Sequence, residues 1–219
     1  MRDRSSPLTE ADIGALAWDK MGGLLPAVVQ DASTSRVLMV GYMNAEALAT
    51  TAQDGFVTFF SRSKRRLWQK GETSGNRLRF RGAFEDCDAD ALLILAEPEG
   101  PTCHLGKTSC FEAETNGPAW LADLSGIIGD RSRSGDGSSY TRQLLDAGPR
   151  RIGQKIGEEG VEVALAAVSR DAGGCAEEVA DLLYHVAVLM EARGFGWDDV
   201  VAVLKQRHAK ASNARTASS

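Results

Sequence analysis

Residues 129–145 read GDRSRSGDGSSYTRQLL, and the texture of the chain changes across them. Upstream, apolar residues come in short runs bounded by turn residues; downstream, Ala, Leu, Val and Glu recur at helical spacing. The Gly, Ser and charged residues between them bury too little surface to belong to either pattern and read as a linker. The chain of 219 residues therefore divides into two compact units, mainly β and then helical.

Working back toward the N-terminus, LLPAVVQ, RVLMVGYM, GFVTFFS, RLRFRG and ALLILAEPEGP predict strands of about five residues each. Asn44 followed by good helix formers predicts one short helix among them, with Asn44 as its N-cap. From 112 to 139 the pattern weakens, leaving a linker with room for a short helix at 121–128. Working forward, helices are expected near 141–147 with an extension past 151, at 176–193 and at 197–210, with 154–170 as a further candidate. Small polar residues at 211–219 read as a disordered tail.

Composition narrows the function classes. Hydrophobic residues make up 43% and charged residues 25%, and no apolar run approaches the roughly 20 residues that span a bilayer. The opening MRDRSSPLTEADIG has no apolar stretch like that of a secretory leader, so a cytoplasmic chain is expected. With 25 basic against 30 acidic side chains, the net charge of -5 does not favour bulk binding to nucleic acid or anionic lipid. An anionic substrate must meet local basic residues. Four cysteines are too few for a disulfide scaffold, so their placement points to metal or catalysis.

Asp86-Cys87-Asp88-Ala89-Asp90 runs into the apolar stretch at 92–95. Read as the entry to a strand, it sets Asp86, Asp88 and Asp90 on one face and Cys87 on the other. Three carboxylates at that spacing suit a hard cation such as Mg²⁺; a polar loop capping the strand is the alternative. Cys103 and Cys110 follow, and with Cys87 they supply three soft ligands, enough for a Zn²⁺ with one open position and an acidified water. His104 would carry the proton beside it. Three small buried thiols without function are the alternative, and Cys175, which has no such company, reads as structural.

The run from Ser61 to Asn76, SRSKRRLWQKGETSGN, is dense in phosphate-binding side chains. Arg62, Lys64, Trp68, Lys70, Glu72, Ser74 and Asn76 are its candidate substrate contacts. Trp68 either stacks on a purine or belongs to the core. Arg77, Arg79 and Arg81 alternate onto one strand face, and a solvated basic face accounts for them equally.

In the helical unit Lys155, Glu158, Glu159 and Glu162 share one helix face. Glu178 and Asp181, with Glu177 adjacent, do the same on a helix whose apolar residues cover much of its circumference. Buried carboxylates need partners or metal, so the pairs Glu159/Glu162 and Glu178/Asp181 are candidate ligands of Mg²⁺ on a polyphosphate; two solvated acidic stripes are the alternative. Lys155 and Glu159 are the candidate catalytic residues of this unit. His185, one turn beyond Asp181, reads as a satisfied core histidine before it reads as a ligand.

Four segments, LLPAVVQDASTSRVLMVGYMNAEAL, TFFSRSKRRLWQKGETSGN, DCDAD and GPTCHLGKTSCF, resemble the phosphoribosyl-AMP cyclohydrolase family. Two more, SSYTRQLLDAGPRRIGQKIGEEGVEVALAA and EEVADLLYHVAVLM, resemble the phosphoribosyl-ATP pyrophosphatases, all-helical relatives of the MazG-type pyrophosphohydrolases. The order of the two is that of the bifunctional family of histidine biosynthesis. The resemblance implies that phosphoribosyl-ATP loses pyrophosphate in the helical unit and that the purine ring of phosphoribosyl-AMP then opens at N1–C6 in the first unit. It implies zinc on Cys87, Cys103 and Cys110 across a homodimer interface, magnesium on Asp86, Asp88 and Asp90, and magnesium on Glu159, Glu162, Glu178 and Asp181. The implied fold is a dimeric pseudobarrel of α+β type plus a MazG-like helical bundle that also dimerises. The expected division is 1–113 for the cyclohydrolase, 114–138 for the linker, 139–210 for the pyrophosphatase and 211–219 for the tail. Two rival readings are a nucleotide-pool pyrophosphohydrolase with a non-catalytic first unit, and a zinc-stabilised dimeric binding protein with a closed four-ligand site.

Overall fold

The computed structural model describes residues 3–111, 117–134 and 137–216, with side chains as far as 209. It contains two compact units, Met1–Ala119 and Trp120–Ser219. Among the described residues no helix is long and apolar enough to cross a membrane.

In the first unit, two short 3-10 turns, Glu10–Ala15 and Trp18–Met21, precede β1 (Leu25–Asp31) and β2 (Val37–Met43). The helix α1 (Ala45–Asp54) follows, then β3 (Thr58–Ser61), β4 (Arg66–Gln69), β5 (Arg77–Glu85) and β6 (Leu92–Glu99). The main sheet has the order β2-β1-β6-β5, and β3 and β4 form a separate ribbon. β1 runs parallel to β6, which puts the residues before both strands at one end of the sheet. Strict alternation buries Leu25, Ala27, Val29 and Asp31 of β1, as a sheet with one covered face requires.

The covering layer is α1 with the ribbon. Asn44 caps the helix as expected, its Oδ1 accepting from the Ala47 amide at 2.8 Å, and Gly55 ends it at φ 73°. Thr51 ties helix to ribbon: its hydroxyl donates to Ala47 O at 2.8 Å and accepts from the Thr58 amide at 2.9 Å. Phe59 is almost wholly buried, which contributes roughly 2–3 kcal/mol for a side chain of that size. Its ring passes so near Gly41 that a Cβ there would lie 2.4 Å from it, so the β2 backbone must lack a side chain at that point.

Two local readings change. The segment after Glu85 is a turn, with Ala89 at φ 60°, and β6 begins only at Leu92. The strand β4, four residues inside the basic run, was not expected; with only Leu67 and Trp68 apolar, it is too short for an alternation to show.

The second unit contains α2 (Trp120–Arg133), α3 (Tyr140–Ala147), α4 (Pro149–Ser169), α5 (Ala172–Arg193) and α6 (Trp197–Thr216). Gly148, at φ 80°, separates α3 from α4, and Pro149 opens α4 in the first turn, where its missing amide costs nothing. Asp171 caps α5 by accepting from the Gly174 amide at 2.9 Å, so α4 and α5 form a hairpin with a two-residue turn. Ile128, Leu144, Ile152, Ala187, Val188 and Met190 form the core.

The part of the expected linker at 120–133 is thus a 14-residue helix whose Ile128 is fully buried in this unit. Trp197 anchors α6 to it, donating from Nε1 to Leu121 O at 3.1 Å and to Ser125 Oγ at 3.0 Å. The linker residues 112–116 and 135–136 lie outside the described residues. So do 217–219 of the expected tail, while α6 continues to Thr216.

Candidate functional site

Each unit brings chemistry-bearing side chains together. In the first, the turn between β5 and β6 folds around Asp86, whose Oδ1 accepts from the amides of Asp90 at 3.0 Å and Ala91 at 3.2 Å. Lys20, from the second 3-10 turn, forms ion pairs with both Asp88 and Asp90. The hydrogen bond from Lys20 holds the Asp88 carboxyl below its usual range. Strand alternation would have set Cys87 against the three aspartates. The turn instead gathers Asp86, Cys87 and Asp88, with ligand atoms within 4.8 Å of one another, and leaves Asp90 with Lys20.

Cys103 and Cys110 lie beyond the other end of β6, on a loop pinned to β2. The Cys110 amide donates to Leu38 O at 2.8 Å, and the Ser109 hydroxyl donates to Val37 O at 2.7 Å. The two thiols are neighbours: burial and then the adjacent Cys103 push the Cys110 thiol up, against a pull from the Lys70 ammonium. His104 Nδ1 is 4.0 Å from Cys103 Sγ. Among the described residues no third His, Cys, Asp or Glu joins this pair, so the three cysteines do not converge within one chain. Two adjacent thiols suit a soft divalent ion but fall short of a three-ligand site.

The basic run separates into different roles. Arg62 lies over the Tyr42 ring at 3.8 Å, and Arg62 and Arg65 line a cavity of about 500 Å³ with Gly22, Gly23, Leu24, Asn44 and Phe60. Trp68 packs on Phe59 with ring centroids 5.3 Å apart and belongs to the core. Glu72 is held by Arg66 at 2.6 Å, which keeps its carboxyl below the usual range. Ser74 Oγ accepts from the Asn76 amide at 3.3 Å, and Ser61 Oγ from the Lys64 amide at the same distance. Arg79 and Arg81 pair with Glu99 and Glu97 across the β5–β6 ladder, and Arg77 lies near the Phe56 ring. That arginine face is neutralised within the sheet.

In the helical unit, α4 and α5 bring Glu159, Glu178 and Asp181 together, with ligand atoms within 4.8 Å. Glu159 is 5% exposed. Lys155, one turn earlier, reaches Glu159 at 2.9 Å and Glu158 at 2.8 Å; its bond to Glu159 keeps that carboxyl below its usual range. Glu162 is pushed the other way, chiefly by the Glu159 charge and then by burial and Glu178. A carboxylate destabilised by two others is the electrostatic condition that a divalent cation relieves, so these residues fit magnesium. Glu158 is turned aside by Lys155 and by Gln154 at 2.9 Å, and Glu177 is exposed, so the geometry distinguishes Glu159 and Glu178 from their neighbours.

Three residues at these sites escaped the sequence reading. Lys20 comes from a 3-10 turn, Arg170 pairs with Glu178 at 2.5 Å from the α4–α5 turn, and Tyr140 reaches His185 from α3. None falls on the repeat of the element it meets, and only distant chain contact reveals it.

Residues 39–112 match the family model described as phosphoribosyl-AMP cyclohydrolase, and 121–208 match phosphoribosyl-ATP pyrophosphohydrolase. The chain is similar to the "Histidine biosynthesis bifunctional protein HisIE" of Xanthomonas axonopodis pv. citri, with 55% identity over 90% of this chain and 94% of that protein. Proteins of the same name in Vibrio vulnificus and Yersinia pestis are 50% and 48% identical, over 90% and 93% of this chain and 97% and 100% of theirs.

Proposed function

Because the chain belongs to the bifunctional histidine-biosynthesis family, with a phosphoribosyl-AMP cyclohydrolase and a phosphoribosyl-ATP pyrophosphohydrolase domain, we propose how its residues divide the two reactions. The helical unit hydrolyses phosphoribosyl-ATP to phosphoribosyl-AMP and pyrophosphate. The sheet unit then adds water at purine C6 and breaks the N1–C6 bond. The observation that carries this division is the convergence of Glu159, Glu178 and Asp181 in one unit and of two thiols beside His104 in the other.

In the helical unit Glu159, Glu162, Glu178 and Asp181 hold magnesium, which supplies charge neutralisation for the triphosphate and a more acidic water. Lys155 holds Glu159 ionised, and its ammonium is the cation that meets the phosphate chain when substrate enters. In the sheet unit Cys103 and Cys110 of one copy and Cys87 of another would hold zinc, whose chemistry there would be to make a water more acidic. His104 would take the proton from the water that adds to C6 and return one to the departing N1. Asp86 and Asp88, with Asp90 once Lys20 is displaced, hold magnesium next to Cys87. Arg62 and Lys64, with Lys70, Glu72, Ser74 and Asn76, bind the phosphoribosyl arms, while Trp68 supports them from the core.

A homodimer follows from the shared thiols. Its supporting surface is the outer face of the sheet, where Val40, Val28 and Leu93 stand in register across three strands, with Val40 and Leu93 exposed. A largely apolar groove lined by Val28, Phe84, Leu93 and Asp86 continues this face to the turn that bears Cys87. The pseudobarrel and the MazG-like arrangement are the assembled forms proposed for the two units, and a cytoplasmic setting fits thiols kept reduced.

The test is metal restoration. Chelated protein regains pyrophosphate release from phosphoribosyl-ATP with Mg²⁺ alone and ring opening of phosphoribosyl-AMP only when Zn²⁺ is added. Ring opening at full rate without Zn²⁺ rejects the thiol assignment.

A further inference from the structure

His185 is a buried side chain of α5 that none of the steps above uses. Its Nδ1 lies 2.8 Å from the carbonyl oxygen of Asp181, one turn earlier, and its Nε2 lies 3.1 Å from the Tyr140 hydroxyl at the start of α3. A carbonyl oxygen only accepts, so Nδ1 carries a proton, and Nε2 is left to bond the Tyr140 hydroxyl. The same Nδ1 faces Glu159 Oε1 at 3.7 Å, between side chains 5% and 7% exposed. That is too long for a hydrogen bond, but out of water an N–H dipole acts strongly on a carboxylate at this range.

The ring cannot easily turn over. Tyr184 and Tyr140 meet it edge-on, with centroids 5.3 and 6.1 Å away. The Tyr184 hydroxyl is 2.8 Å from Thr141 Oγ1, so consecutive residues of α3 clasp consecutive residues of α5. Lys155, which meets the same oxygen at 2.9 Å, is shared with Glu158, and the imidazole meets that oxygen from the α5 side.

We propose that Tyr140 and His185 form a positioning relay, in which the tyrosine hydroxyl and the Asp181 carbonyl together hold the imidazole, and its Nδ1 edge so held orients Glu159 for metal binding. The relay rests on the reading of Glu159 as a magnesium ligand. Partners of this kind, one step removed from the metal, typically change its affinity by about 10- to 100-fold when removed. Without the Tyr140 hydroxyl Nε2 loses its partner and the ring is tethered by the Asp181 carbonyl alone.

The experiment is Mn²⁺ titration of the full chain followed by electron paramagnetic resonance, with circular dichroism melts as the folding control. Glu159→Gln identifies the class of bound Mn²⁺ that belongs to this site by abolishing it. Tyr140→Phe and His185→Leu are expected to weaken that class about 10- to 100-fold, and His185→Asn, which keeps a donor at the Nδ1 position, to recover most of it. Tyr140 is half exposed, so its phenylalanine variant keeps the test open if His185→Leu does not fold. If Glu159→Gln loses the Mn²⁺ while Tyr140→Phe and His185→Leu bind like wild type, the relay is wrong and the metal reading stands. Equal weakness of His185→Asn and His185→Leu overturns the donor role in favour of packing. If Glu159→Gln keeps every Mn²⁺, the metal reading falls, and the relay with it.

Discussion

Lys155 Nζ lies 2.9 Å from Glu159 Oε1, one turn along α4, and beyond that carboxylate stand Glu178 and Asp181 from α5. The lysine thus screens one side of a carboxylate cluster whose other side, among the described residues, has no lysine or arginine paired with it except Arg170 on Glu178. The repulsion left over is borne by Glu162, whose carboxyl is raised above its usual range. For an acid raised on folding, the folded state binds more protons; stability falls as pH rises from the ordinary glutamate value to the raised one. Metal-free Glu162→Gln is therefore expected to melt higher than wild type at neutral pH, with the difference disappearing at acid pH, below both values. Mg²⁺ should raise the wild-type melting temperature more than that of the variant. Differential scanning calorimetry with and without Mg²⁺ checks both, and a variant less stable than wild type at neutral pH would contradict the repulsion.

Cys87 and the pair Cys103/Cys110 sit beyond opposite ends of β6, and a zinc site shared between copies has a consequence for mixtures. Cys87→Ala and Cys103→Ala should each lose at least about 100-fold of ring opening, as expected when a metal ligand is removed. Unfolding and refolding the two variants together should restore activity, because one of the two sites of each mixed dimer keeps all three thiols. No recovery in the mixture would place all three cysteines at a site within one chain.

Arg62 has no carboxylate partner among the described residues, whereas Arg79 and Arg81 are neutralised by glutamates of β6. Arg62→Met should raise the KM of phosphoribosyl-AMP by about 10-fold or more, the loss of one charge-assisted hydrogen bond. Arg79→Met should leave KM within about twofold, since its guanidinium is already occupied. Steady-state kinetics that rank the two in the opposite order would move the substrate to the arginine face of β5.

Thr51→Val deletes a hydroxyl that accepts from the buried Thr58 amide. The orphaned N–H should cost about 1–3 kcal/mol in chemical denaturation of the sheet unit, with little effect on pyrophosphate release. A loss below about 0.5 kcal/mol would mean that water reaches the amide.

Much of this architecture is legible in local pattern. The alternation of β1, the Asn44 cap and the spacing of Glu159, Glu162, Glu178 and Asp181 each follow from a period or a cap that neighbouring residues impose. The DCDAD turn is not legible in that way. Its left-handed residue is Ala89, an alanine where such a position usually advertises glycine, so five alternating residues look like a strand. The linker composition likewise left room only for a short helix at 121–128 where α2 runs Trp120–Arg133, because Gly126 and Gly129 weaken the helical signal although Ile128 is fully buried. Tyr140, Lys20 and Arg170 reach their partners only through tertiary folding, and no spacing rule connects residue 140 to residue 185.

The most direct measurement is turnover of phosphoribosyl-ATP by metal-loaded wild type, Cys103→Ala and Glu159→Ala, with ring opening followed by ultraviolet absorbance and pyrophosphate assayed in parallel. The expected result is that wild type makes both products, Cys103→Ala releases pyrophosphate and stops at phosphoribosyl-AMP, and Glu159→Ala releases none yet opens the ring of supplied phosphoribosyl-AMP. A wild type that releases pyrophosphate without opening the ring, or a single substitution that abolishes both reactions in a folded protein, would contradict two separate sites in one chain.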